Sequence, residues 1–70
     1  MVVQAKRYSK AVGETAIREA YTARNQYNCG SALVVATHGF TRHAKQLAQV
    51  NQVFLWDRER LINELLATVK

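Results

Sequence analysis

The sequence contains no proline, three glycines, one cysteine and only five acidic residues in 70. Without proline, no proline-rich spacer divides the chain, and this length leaves room for one small domain. A lone cysteine, Cys29, excludes an intramolecular disulfide and fits a reducing compartment. His38 and His43 lie five apart with Cys29 as the one thiol, which is not the spacing of a structural zinc site. Gly13, Gly30 and Gly39 stand alone, so neither a dinucleotide fingerprint nor a Walker-type phosphate loop is present. There is likewise no Gly-x-Ser-x-Gly elbow. The longest unbroken apolar run, Ala32 to Ala36, falls far short of the roughly 20 residues that cross a bilayer, and nothing reads as a signal peptide. The expectation is a soluble, cytoplasmic protein.

Positive charge, by contrast, is plentiful and unevenly placed. The net charge is +5. All of that excess sits in residues 1–50, where Lys6, Arg7, Lys10, Arg18, Arg24, Arg42 and Lys45 face only Glu14 and Glu19. Over residues 51–70 the charges cancel, with Arg58, Arg60 and Lys70 against Asp57, Glu59 and Glu64. Such a bias suits a polyanionic partner, nucleic acid being the commonest, and equally a soluble surface with a modest charge bias; composition alone leaves the two even.

The pattern of apolar residues predicts three strands alternating with three helices. Val2 to Tyr8 is a β-prone opening segment. Ser9 to Gly13 then forms a loop, and Glu14 suits the first turn of a helix, where the macrodipole favours a carboxylate. Ile17, Ala20, Tyr21 and Arg24 recur at three–four spacing and predict a helix over roughly 14–27, stopped near Asn28 with Gly30 as its left-handed cap. Ala32 to Thr37 is continuously apolar, as expected of a strand buried on both faces of a parallel sheet. His38-Gly39 turns the chain, and Thr41 caps a second helix reaching Val50 that buries Ala44, Leu47 and Ala48. Val53 to Trp56 is the third strand, with Trp56 expected in the core. Asp57 caps a last helix in which Leu61, Ile62, Leu65, Leu66 and Val69 make the clearest apolar stripe in the chain. Connections too long for hairpins imply right-handed crossovers and a mainly parallel sheet, hence an α/β fold.

The opening strand carries the one unusual juxtaposition. Strand alternation puts Gln4, Lys6 and Tyr8 on one face and Val3, Ala5 and Arg7 on the other. Taken alone, a lysine in this setting more often guards a sheet edge against pairing than performs chemistry. His38 reads as a turn residue with a local hydrogen bond, more than as a ligand. Arg42, His43 and Lys45 open the second helix, where they are solvated or meet a phosphate backbone. Tyr8, Tyr21 and Tyr27 could stack on bases, although their spacing favours packing.

Taken in order, four pieces resemble the Mrr-type restriction endonuclease domain, a branch of the PD-(D/E)xK nuclease superfamily. Val3-Gln4-Ala5-Lys6-Arg7-Tyr8 is similar to that family's Gln-x-Lys strand, and Val12-Gly13 to the turn before its helix. Leu33 to Thr37, with Phe40-Thr41 and Ala44, resembles its second signature. Leu55-Trp56-Asp57-Arg58, with Leu61 and Leu65-Leu66, resembles its closing strand and helix. The resemblance implies a three-layer restriction-endonuclease-like core and Mg²⁺-dependent cleavage of DNA phosphodiesters. Lys6 would be the catalytic lysine, stabilising charge or helping to deprotonate the nucleophile. Gln4 would be a weak metal ligand, standing where many relatives carry a carboxylate. Arg7, Tyr8 and Lys10, with Arg42, His43 and Lys45, would contact DNA.

The sequence departs from the family in one respect. The aspartate that anchors the metal in such domains lies on a strand before the Gln-x-Lys strand, and here only Met1 to Val3 precede Gln4. Residues 1–70 therefore read as one partial Mrr-like domain, without the upstream strands and helix. Glu14 or Glu19 is a conceivable substitute acid from the first helix. Cleavage by the chain alone is expected to be weak or absent, the alternative being a non-catalytic DNA-binding or dimerisation module. A strand left without its neighbour is also expected to recruit a second copy, giving a homodimer through the first strand.

Overall fold

A computed structural model describes residues 1–68. Strands and helices alternate: β1 (Val2–Lys6), α1 (Glu14–Gln26), β2 (Ala32–Ala36), α2 (Arg42–Asn51), β3 (Val53–Trp56) and α3 (Arg58–Thr68). The three strands form one parallel sheet in the order β1-β2-β3, with Gln4 opposite Val34 and Val34 opposite Leu55. The expected α/β fold is thus present, and it is consistent with a restriction-endonuclease-like core. No helix among the described residues is long and apolar enough to cross a membrane.

Two successive crossovers of the same hand, stepping in the same direction across the sheet, put α1 and α2 on one face. There Ile17 and Ala20 of α1 and Ala44 and Ala48 of α2 pack with Ala32, Val34 and Val53, and Val2, Tyr21, Leu47 and Leu55 close the margins. Alanine at so many of these positions lets the helix axes lie close to the sheet and to each other. Side chains on the other face of the sheet, among them Phe54 and Trp56, meet α3, and Arg60 lies 5.6 Å from the Trp56 ring centroid.

Capping follows the expected chemistry where it is local. Thr41 Oγ1 accepts from the Ala44 amide at 3.1 Å and Asp57 Oδ1 from the Arg60 amide at 2.8 Å, so each helix start gains a partner for an otherwise free N–H. The end of α1 differs from expectation. Asn28, at φ 53°, takes the left-handed position assigned to Gly30. Cys29 N donates to Arg24 O and Asn28 N to Asn25 O, the paired bonds of a Schellman motif. Asparagine tolerates this conformation, and it sits where the motif needs it, two residues past the last helical one.

Three further expectations are corrected. β1 ends at Lys6, so Arg7 and Tyr8 lie beyond the ladder. Trp56 is half-buried, because its face of the sheet is covered only by α3. The apolar stripe of α3 does not enter a core: no described residue of that helix is buried, and Ile62, Leu65 and Leu66 are exposed. Val69, assigned to the same stripe, lies outside the described residues.

Candidate functional site

β1 is an edge strand, paired with β2 on one side only. Its burial alternates as the pleat requires, with Val2, Gln4 and Lys6 turned toward the helices and Val3 and Ala5 turned away. Gln4 and Lys6 therefore share the face of the sheet that α1 covers. The Gln4 Oε1 atom is sealed from solvent and receives no hydrogen bond. A buried carbonyl oxygen without a donor is costly, on the order of 1–3 kcal/mol, which makes it an open acceptor beside the strand's end.

Lys6 is more constrained than an ordinary edge lysine. Its side chain is 18% exposed, and its ammonium donates to Glu19 Oε2 at 3.5 Å. The same nitrogen lies 5.8 Å from the centroid of the Tyr8 ring, within reach of a cation–π contact. The last residue of β1, the middle of α1 and the loop after β1 thus converge on one cation. Glu19 is 53% exposed and brings the acidic partner from the solvent side.

The loop after β1 does not swing free. Val12 forms an isolated parallel bridge with Phe40, its amide donating to Gly39 O and its carbonyl accepting from Thr41 N, both at 2.9 Å. Gly39, at φ 80°, makes the tight turn that presents its carbonyl to this bridge. Val12 is buried with Ala16 and Ala36 beneath Phe40. The bridge ties together the segments that follow β1 and β2, so Arg7, Tyr8 and Lys10 lie at the same sheet edge as the start of α2. All six residues expected to meet DNA, which are Arg7, Tyr8, Lys10, Arg42, His43 and Lys45, are exposed. His43 turns toward α1, lining a shallow groove of about 280 Å³ with Glu14, Gln46, Leu47 and Val50. No contact links Arg42, His43 or Lys45 to Lys6 among the described residues.

Across residues 1–65, the chain matches the family model described as Mrr_cat, restriction endonuclease. The chain belongs to the Mrr_cat restriction endonuclease family. No curated protein and no solved structure showed a match to it. Within the Mrr_cat match lie both Gln4-x-Lys6 and the Val12–Phe40 bridge, so the family's span includes the cation site and the loops that flank it.

Whether the residues of this Mrr_cat chain suit the Mg²⁺ that the resemblance implied can be judged from the donors. Magnesium is held through one or two carboxylates together with water and substrate phosphate oxygens. Near β1 the donors are the neutral Gln4 Oε1, open but uncharged, and the Glu19 carboxylate, already engaged by Lys6. Among the described residues, no group of three His, Cys, Asp or Glu side chains converges anywhere. Glu14 is paired elsewhere, with Arg18 at 3.5 Å. These residues do not make a magnesium site, and the expected metal role of Gln4 finds no support in its surroundings.

Two roles were not read from the sequence. Glu19 lies thirteen residues from Lys6, and their meeting depends on how α1 is rotated over β1. Arg24 belonged by spacing to the apolar stripe of α1, yet its guanidinium donates to Asn51 O at 2.7 Å and Gln52 O at 3.3 Å, satisfying the end of α2. A cation on an otherwise apolar stripe was the available signal. His38 behaves as expected, its Nδ1 lying 3.1 Å from Thr37 Oγ1.

Proposed function

We propose that the chain is the lysine-bearing, DNA-binding part of a restriction endonuclease fold, with phosphodiester cleavage weak or absent for the chain by itself. The observation that carries this reading is Lys6: a cation at the end of an edge strand, half enclosed by Glu19 and Tyr8, in a chain whose family is a nuclease family. The edge around it is basic. Arg7 and Lys10 follow β1, and α2 opens with Arg42, His43 and Lys45 and no acid in its first turn. The helix macrodipole makes that terminus unfavourable for cations and favourable for anions. A phosphate backbone lying across both segments relieves that local repulsion. The natural setting for such a partner is the cytoplasm, where Cys29 also stays reduced.

The decisive experiment is titration of a labelled DNA duplex by fluorescence anisotropy across a salt series, in EDTA and in Mg²⁺. Binding that engages about three to five phosphates gives a log–log salt slope of roughly −2.7 to −4.5 and persists in EDTA. Affinity that does not change with salt would overturn the reading. Nicking of supercoiled plasmid in Mg²⁺, lost in Lys6→Met, would show that the chain is a full catalyst on its own.

A second reading is favoured by the unpaired backbone of β1. Two copies pairing these edges across a two-fold axis would satisfy the open N–H and C=O groups of both. Sedimentation velocity at micromolar concentration is the test, and a well-folded monomer at all concentrations rejects it.

A further inference from the structure

The lack of fit between Gln4, Glu19 and a magnesium ion leaves a question about what Glu19 does. We infer that Glu19 is a built-in counter-ion, occupying the Lys6 ammonium in place of phosphate and released when a phosphodiester arrives, so that anion binding here needs no divalent cation. The inference rests on the proposed DNA-binding role and adds a positioning residue and a competition to it.

The geometry supports exchange rather than a permanent lock. An ammonium has three donors, and the Glu19 contact, at 3.5 Å, uses one of them at the long end of hydrogen-bonding range. Lys6 is held from the side by Tyr8, while Glu19 is more than half exposed and free to swing out. Gln4 Oε1, on the same face two residues earlier, receives nothing, so Lys6 is drawn to the carboxylate rather than to the neutral amide oxygen. A phosphate oxygen has the same charge and acceptor chemistry as Glu19 and approaches from the solvent-facing side that Glu19 now occupies. The other acid of the chain's basic half, Glu14, is held by Arg18 one helical turn away and has no contact with Lys6 among the described residues.

The test compares wild type, Glu19→Gln, Glu14→Gln, Lys6→Met and Lys6→Met/Glu19→Gln. Binding to a labelled duplex is measured in EDTA at fixed salt, with amide spectra confirming that every variant is folded. Displacing a half-exposed ion pair lowers affinity by about two- to fivefold. Glu19→Gln therefore tightens binding by that factor, Glu14→Gln does so to a smaller extent, and the gain disappears in the Lys6→Met background. An equal gain from Glu14→Gln, or a gain that survives Lys6→Met, would mean that Glu19 acts only through net charge and would overturn the inference. If wild type binds no DNA, the functional reading fails, and the competition is read on Lys6 itself. Its Cε–Hε resonances are then titrated with inorganic pyrophosphate: a lower midpoint in Glu19→Gln upholds the latch, and equal midpoints reject it. Manganese titration closes the metal question. Selective paramagnetic broadening of the Gln4 side-chain amide below about 1 mM Mn²⁺ would restore a metal site and overturn the cation-independent reading.

Discussion

The two faces of the sheet are built on different terms. On the face beneath α1 and α2, Ile17, Ala20, Ala32, Val34, Ala44, Ala48 and Val53 form one sealed cluster. On the face that meets α3, Leu33 is buried, but Val3 and Phe54 are 58% and 57% exposed and no described residue of α3 is buried. Parallel sheets normally have both faces covered. The contrast shows that burial in this small domain is concentrated on one face of the sheet. The first face holds the fold together and aligns β1 under α1, which is what brings Lys6 to Glu19. The second is a half-covered apolar surface that contributes little to that alignment.

The largest expected effect breaks the sealed face. Ile17 is fully buried at the centre of the cluster. Ile17→Ala removes three carbon atoms from a site that cannot collapse around alanine neighbours, which costs about 2–4 kcal/mol. In a domain of 70 residues that is a large share of the total stability. Urea denaturation followed by circular dichroism checks it. A loss below about 1 kcal/mol would mean that the two faces share the load more evenly than their burial suggests.

A smaller effect is expected where α1 holds the end of α2. Arg24→Met keeps the aliphatic stem and removes the bonds to Asn51 O and Gln52 O. The cost is about 1 kcal/mol, since the released carbonyls lie near solvent and find water. Amide exchange should rise in the last turn of α2 and in the residues leading into β3, while the Lys6 region keeps its protection. If exchange rises uniformly instead, Arg24 supports the whole sealed face rather than one helix end.

The same contrast explains what could be read from sequence. Local chemistry was legible: Thr41 and Asp57 cap the helices they precede, Gly39 makes the turn, and the alternation of Gln4 and Lys6 with Val3 and Ala5 survives in the pleat. The order of strands and helices follows from runs of apolar residues, which need no knowledge of partners. The apolar stripe of α3 was equally clear as a stripe. Periodicity reports that a helix has an apolar side, however, and not how much surface exists to cover it, and here the sheet beneath α3 is only three strands wide. The candidate site divides in the same way. Lys6 and Gln4 stand out by spacing within one strand, whereas Glu19 becomes their neighbour only through the docking of α1. Asn28 took the position expected of Gly30 because two residue types meet the same backbone requirement and the helix ended two residues sooner than a glycine cap would need.

The smallest effect on stability is expected on the half-covered face, and there the comparison can be sharpened most. Phe54 and Leu65 are each more than half exposed. Phe54→Thr keeps a residue suited to a strand, and Leu65→Gln keeps a good helix former, so the double variant should change unfolding free energy by less than about 1 kcal/mol. Its value lies in separating two routes of association. Pairing through the β1 edge depends on backbone groups and leaves Phe54 and Leu65 outside the contact, so a dimer of that kind sediments identically in the double variant. Association through the apolar face depends on these side chains and is lost with them, accompanied by higher solubility. A double variant that stays dimeric therefore places the interface at the strand that carries Lys6, next to the proposed DNA-binding edge. One that becomes monomeric moves it to the opposite side of the sheet and leaves the β1 edge open.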